Sequence, residues 1–133
     1  MIKIKKEIFD EMIKHCKEEY PKEACGILAG ENAEVKKIYK MKNINESPIS
    51  FFMDPQEQIS VMKDIRKNNF EMIGIYHSHP FTHPYPSEKD VSLAFYEDAS
   101  YIIISLSDFN NPYVKSYKIK NGKIIEDEII MEE

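Results

Sequence analysis

Residues 75–90 read IYHSHPFTHPYPSEKD, and this segment carries most of the chain's information about fold and chemistry. The largely apolar run 72–79 that leads into it predicts a central β-strand. Side chains alternate across a strand, so His77 and His79 project from one face while Ser78 points away. Two imidazoles side by side at a strand end can form two corners of a tetrahedral zinc site.

The loop after this strand is stiffened by three prolines, Pro80, Pro84 and Pro86. It leads to Ser87 and Asp90 on the first turn of a helix that we predict from Ser87 to about Tyr96. Asp90 can supply a carboxylate oxygen as the third ligand. Two neutral histidines and one aspartate would hold one zinc ion per chain and leave its fourth position open for water, whose pKa would fall to about 7.

Each of these features also has a simpler interpretation. An isolated His-x-His pair is more often incidental than metal-binding, and Ser87 with Asp90 also fits a capping box that merely starts a helix. The strand before the pair and the stiff loop between the two elements favour the metal site when all are taken together.

The rest of the chain alternates helices and strands. Apolar residues recur at helical spacing from Glu7 to Glu19, where Cys16 falls on the inner stripe and His15 on the predicted surface. Three apolar runs predict strands at about 24–30, 35–41 and 101–106, the last buried on both faces. Asn121-Gly122 predicts a hairpin between two final strands.

A second helix is predicted from Pro55 to about Asn68. Asp54 is suited to cap it, with Glu57 completing a capping box. Its inner face is expected to carry Ile59, Met62 and Ile65. These elements predict an α/β or α+β fold in which helices flank a mixed, curved sheet, within a single domain of residues 1–133.

Composition restricts the functional classes. The chain has 18 basic and 23 acidic residues and a formal net charge of -5, which disfavours nucleic acid as a partner. No segment approaches the roughly 20 apolar residues of a membrane span, and the N-terminal residues predict no secretory signal. A cytoplasmic protein with reduced Cys16 and Cys25 is therefore expected, and Cys25 is expected to be a buried strand residue.

The polar pattern resembles a known family. His77-Ser78-His79, seven residues, Ser87, two residues and Asp90 look like the JAMM motif of MPN-domain (MPN+, Mov34/PAD-1-like) zinc metalloproteases, with every position filled. That family also has a glutamate just before an apolar strand, and Glu23 matches it. The resemblance extends from Glu7 to at least Leu106 and implies a fold similar to that of cytidine deaminases.

The resemblance also implies roles for two residues outside the ligand set. Glu23 would be the general base, which takes a proton from the attacking water and gives it to the leaving amine. Ser87 would donate a hydrogen bond to the developing oxyanion. A solvated surface carboxylate is the simpler interpretation of Glu23 on sequence grounds alone, and His83 is expected to be a solvated loop residue.

The implied reaction is hydrolysis of a peptide or isopeptide bond after the diglycine tail of a ubiquitin-like or sulfur-carrier protein. The chain has no room for long substrate-binding insertions, which favours a compact prokaryotic-type enzyme. Sulfur-carrier processing in cysteine or cofactor synthesis and removal of ubiquitin-like tags both remain open, as does a homodimer formed through the terminal hairpin. A non-catalytic MPN scaffold is an alternative, although no ligand is missing. A nucleobase deaminase is disfavoured because neither cysteine has the required Pro-Cys-x-x-Cys context.

Overall fold

The computed structural model describes all 133 residues, whose strands form one eight-stranded mixed sheet. The strands are β1 Ile2–Lys5, β2 Cys25–Glu31, β3 Glu34–Met41, β4 Glu71–His79, β5 Ser100–Ser105, β6 Tyr113–Lys120, β7 Lys123–Asp127 and β8 Ile129–Glu132. The helices are α1 Lys6–Glu19, α2 Pro55–Lys67 and α3 Glu88–Ser92. The strand order is β7-β6-β5-β4-β2-β3-β1-β8, which confirms the predicted mixed sheet flanked by helices.

The sheet curves until it nearly closes. β7 and β8 follow each other along the chain, yet β7 pairs with β6 at one end of the strand order and β8 pairs with β1 at the other. Asp127 lies at this seam, where it pairs with the N-terminal amine of Met1 and accepts hydrogen bonds from Ser100 and Ser116. β1 was absent from the predicted elements because its four residues give too short an alternation to stand out.

Each face of the sheet has its own apolar core and its own helix. α1 covers one face through Met12 and Cys16, both fully buried, as predicted for Cys16. α2 covers the opposite face through Val61 and Ile65. The prediction for Ile59 was wrong: its side chain is 51% exposed, because Val61 takes the inner position. All residues of β5 are buried, as predicted.

His15 is a second correction, because it is buried and not on the surface. Only 7% of it is exposed, and its Nδ1 lies 2.6 Å from the hydroxyl oxygen of Tyr76 on β4. The helical pattern placed this polar residue outside, but the tyrosine hydroxyl provides the partner that allows its burial.

The helix ends also differ from the sequence prediction. Asp54 caps α2 by accepting from the Gln56 amide, as expected, but Glu57 accepts from the Lys42 amide 2.9 Å away and forms no capping box. α3 stops at Ser92, several residues earlier than predicted. The Tyr96 amide donates to the Tyr101 hydroxyl instead of to a helix carbonyl, which removes that segment from the helix. None of the helices is long and apolar enough to span a membrane.

Candidate metal centre

The two motif histidines lie at the carboxyl end of β4, on the face covered by α2. His77 is opposite Cys25 on β2 and Ile103 on β5 in the sheet register, and both histidines are buried. Ser78 points to the other face and is fully buried. The alternation predicted from the sequence is therefore present.

Asp90 completes a tight group of three donor atoms with these histidines. The two Nε2 atoms are 3.1 Å apart, and the Asp90 Oδ2 lies 3.2 Å from that of His77 and 3.0 Å from that of His79. Ligands at the usual zinc distances in a tetrahedral site are separated by roughly 3.3 Å. The three atoms thus form one face of a tetrahedron of the size that zinc requires, and they fit the ion.

The loop and helix start hold Asp90 in place. Its Oδ2 accepts a hydrogen bond from the Ser87 amide at 2.9 Å, and the Ser87 Oγ accepts from the Asp90 amide at 3.1 Å. The capping box, which was the simpler interpretation of Ser87 and Asp90, is therefore present. It also orients the carboxylate toward the histidines, so the two interpretations hold together.

The electrostatics favour the ligand forms of His77 and Asp90, whereas those of His79 favour the protonated form, whose proton a bound metal would displace. Burial lowers the pKa of His77 more than the Asp90 carboxylate raises it. Burial works against ionisation of Asp90, but hydrogen bonds with both imidazoles hold its pKa well below the usual range. For His79, burial is outweighed by hydrogen bonds with Asp90 and with the His83 carbonyl, so its pKa is raised. A neutral imidazole and an ionised carboxylate are the ligand forms of these residues.

Two contacts that the sequence did not predict orient the imidazole rings. The carbonyl oxygen of His83 lies 3.0 Å from the His79 Nδ1, which fixes that ring with Nε2 toward the triangle. The exposed His83 ring itself makes no contact with the centre. Phe51 stacks on His77 with ring centroids 4.6 Å apart and an interplanar angle of 28°, while the buried His77 Nδ1 has no hydrogen-bond partner.

Glu23 is brought to the same centre, although it lies just before β2 and far from the motif in sequence. Only 4% of it is exposed, and it lines one cleft with His79 and Ser87. Its Oε1 is buried without a hydrogen-bond partner. Burial, reinforced by the nearby Asp90 carboxylate, raises the pKa of Glu23 to about 8. The solvated surface carboxylate is therefore the wrong interpretation of Glu23.

The two cysteines are core residues, as expected. Cys16 and Cys25 are free and fully buried, and burial raises the pKa of each thiol to about 12. Neither belongs to the group of donor atoms around Asp90.

The model of the prokaryotic homologs of the JAB domain matches residues 5–120. The chain belongs to this family. It is 33% identical to a CysO-cysteine peptidase from Mycobacterium tuberculosis over 128 residues, which cover 95% of this chain and 88% of that protein. It is 31% identical to a desampylase from Haloferax volcanii over 103 residues, which cover 72% of this chain and 74% of the relative.

Solved structures agree with this membership. A protein from Desulfitobacterium hafniense, solved in solution, superposes with a TM-score of 0.90 at 42% identity and covers all of this chain and 94% of its own. A JAB1/MPN domain protein from Archaeoglobus fulgidus superposes with a TM-score of 0.66 at 21% identity, covering 98% and 96% of the two chains. The predicted family and fold are confirmed, and the chain is a hydrolase of the JAMM type.

Proposed function

We propose that this chain is a zinc-dependent peptidase that cleaves the bond after the diglycine tail of a ubiquitin-like or sulfur-carrier protein. The observation that carries the proposal is one centre in which three donor atoms 3.0–3.2 Å apart adjoin a buried, unpartnered carboxylate. His77, His79 and Asp90 would hold the metal, and Glu23 and Ser87 would act on the substrate.

Zinc bound to these three residues supplies Lewis-acid chemistry, which acidifies water and polarises a carbonyl. The chain's own residues then move the protons. Glu23 lies in the cleft beside His79 and takes a proton from the attacking water, then returns it to the leaving amine. A cation at the centre would favour the ionised form of Glu23, offsetting the burial that raises its pKa.

Ser87 is suited to the oxyanion. Its Oγ accepts from the Asp90 amide, which fixes the oxygen and leaves the hydroxyl proton free to donate. Ser87 lines the cleft together with Glu23 and His79, so that proton can point at a carbonyl oxygen bound there.

The substrate class is supported by the names of the relatives and by the apolar borders of the cleft. Two relatives that match most of the chain are named for CysO-cysteine and for desampylation. Ile49 and Phe81, 80% and 56% exposed, border the cleft and offer apolar walls for an extended tail. Glycines in such a tail would suit the cleft because they need little clearance next to the protein backbone.

The test is to incubate the zinc-loaded protein with a ubiquitin-like protein extended beyond its diglycine. We expect cleavage after the second glycine, and its loss on addition of a chelator. Absence of cleavage across several such substrates, with one zinc bound per chain, would refute the proposed substrate class.

Sulfur-carrier processing is the first candidate purpose, because the match to the CysO-cysteine peptidase covers 95% of this chain and that to the desampylase covers 72%. A sulfur carrier bearing one C-terminal cysteine and the same carrier joined to a lysine side chain separate the two purposes. Faster cleavage of the first supports processing, and faster cleavage of the second supports tag removal.

Three smaller proposals accompany this function. The chain acts as one domain, since a single sheet runs from Ile2 to Glu132. The free, buried thiols agree with a reducing compartment and support a cytoplasmic location. β7, a strand of the terminal hairpin, ends the strand order, so a homodimer would form through it.

A further inference from the structure

Asn43, which follows β3, uses the whole hydrogen-bonding capacity of its side-chain amide. Its Nδ2 donates to the carbonyl oxygens of Glu23 and Ser50, each at 3.0 Å. Its Oδ1 accepts from the amides of Asn45 and Phe52, each at 3.0 Å. Because the first two partners can only accept and the last two can only donate, the orientation of the amide is fixed. Asn43 is 4% exposed, so water cannot replace these bonds easily.

The bonds of Asn43 close the base of the β3–α2 loop, which we define as residues 42–54. Asn43 and Met53 form an isolated antiparallel bridge there, and the Ile44 amide donates to the Phe52 carbonyl at 2.9 Å. The two bonds to Oδ1 hold the arms of this loop together. They would suffice for an ordinary turn-forming asparagine.

One of the two bonds from Nδ2 reaches beyond the loop and ends on the backbone carbonyl of Glu23. The Glu23 amide also donates to the loop, to the Ser47 carbonyl at 2.8 Å. Both backbone polar groups of Glu23 are therefore bonded to the loop or its closing asparagine. The backbone of Glu23 is held by this loop, since β2 begins only at Cys25.

The same loop forms part of the centre and of the cleft. Phe51 stacks on His77, and Pro48 and Ile49 line the cleft with Glu23. A change in the closure of the loop would thus move the proposed base and the wall of the substrate cleft together.

We propose that Asn43 is a positioning residue that sets the orientation of Glu23 through the Nδ2 bond to its backbone carbonyl and the shape of the cleft through the bonds that close the β3–α2 loop. This inference rests on the proposed function for its kinetic consequences. Asn43 touches neither the donor atoms of the metal centre nor the cleft, so it acts through Glu23 and the loop. Its loss would leave the zinc ligands in place.

Two substitutions separate the two roles. Asn43→Asp keeps an acceptor for the Asn45 and Phe52 amides and removes both donors. Asn43→Ala removes all four bonds. Asn45→Ala is the matched control in the same loop, because that side chain is exposed and donates only to the Ser50 hydroxyl at 3.3 Å.

The kinetic test compares these variants as zinc-loaded proteins on the diglycine-extended substrate. For Asn43→Asp we expect kcat to fall by roughly 10- to 100-fold, as misplacement of a catalytic group does, with KM changed by less than about 3-fold and zinc content unchanged. Asn43→Ala should lower kcat similarly and also raise KM, while Asn45→Ala should retain both constants. Asn43→Asp with the wild-type kcat, or with KM alone changed, would overturn the inference.

Amide hydrogen exchange tests the anchor without substrate. We expect faster exchange of the Glu23 amide in both Asn43 variants and of the Phe52 amide only in Asn43→Ala, with the β4 amides unchanged as evidence of intact folding. Unchanged exchange of the Glu23 amide in both variants would overturn the anchor whatever the substrate. If the unsubstituted protein cleaves nothing but the exchange pattern appears, the proposed function fails and the anchor stands.

Discussion

The two halves of the site are assembled in different ways. The ligand half, residues 77–90, is local: Asp90 is three residues from its capping partner Ser87 and 11 from His79. The base half consists of Glu23 and the β3–α2 loop, and the bond from Asn43 to the Glu23 carbonyl that joins them spans 20 positions. Metal binding and proton transfer should therefore respond separately to substitution.

The most severe test of the ligand half is His77→Ala. We expect loss of stoichiometric zinc and of all measurable cleavage, because two donors cannot retain the ion as three do. His83→Ala is the matched control: its ring is exposed, and the backbone carbonyl that accepts from His79 is unchanged. Metal analysis and the cleavage assay together decide, and stoichiometric zinc in His77→Ala would remove that residue from the ligand set.

Glu23→Gln tests whether the base half is separable. We expect zinc to remain bound while kcat falls by ~10²–10⁴, the usual contribution of a general base. Glu46 is exposed in the β3–α2 loop, so Glu46→Gln is a control of the same chemistry and should behave as wild type. A fully active Glu23→Gln protein would exclude Glu23 as the base.

This contrast also explains what the sequence could predict. Strand alternation at His77 and His79 and the helix start at Ser87 are local signals, and they yielded the donor triangle directly. Glu23 was identified only by its resemblance to a family pattern, because nothing near it in sequence indicates that the fold carries it to Asp90.

The contacts that the sequence did not predict are those with no residue-type signal. The His83 carbonyl is a backbone group, and any residue there could provide it. Phe51 reads as a core aromatic until the fold stacks it on His77. Asn43 is of a residue type common in turns, and only its bond to the Glu23 carbonyl gives it a further role. The prediction that His15 is exposed was wrong for a related reason, because its hydrogen-bond partner Tyr76 is 61 residues away.

Ser78→Ala tests the link between the halves. The Ser78 Oγ accepts from the Ala24 amide at 2.8 Å, and its own amide donates to the Ala24 carbonyl at 3.1 Å, which ties β4 to the residue after Glu23. An unpartnered buried amide costs about 1–3 kcal/mol, so we expect a lower thermal midpoint. We also expect kcat reduced ~10-fold with zinc retained.

Ser92→Ala is the control for that substitution, because its exposed hydroxyl donates only to the Lys89 carbonyl within α3. Unfolding by calorimetry and single-substrate kinetics give the two readouts. A Ser78→Ala protein that is destabilised but keeps the wild-type kcat would show that β4 positions the metal ligands without positioning Glu23.

A final expected effect, on stability and not on activity, is the pH dependence of unfolding in the metal-free protein. Burial raises the pKa of Glu23 from 4.5 to about 8, so between these values the folded state binds more protons than the unfolded state at this residue. Its contribution to the free energy of unfolding therefore falls as pH rises from about 4.5 to 8 and then levels off. Glutamine has no such dependence. The midpoint of Glu23→Gln should exceed that of wild type increasingly across this range, by roughly 4 °C for each ~1 kcal/mol.

Taking the difference between the two proteins cancels most of the pH dependence that Asp90 and His79 contribute to both. With zinc bound the difference should shrink, because a cation at the centre favours the ionised carboxylate. A difference in midpoint that stays constant from pH 5 to pH 8.5 in the metal-free proteins would mean that the Glu23 carboxylate is hydrated in the fold. The independence of Glu23 from the metal ligands would then come from its access to solvent. It would not come from the hydrogen bonds of the β3–α2 loop.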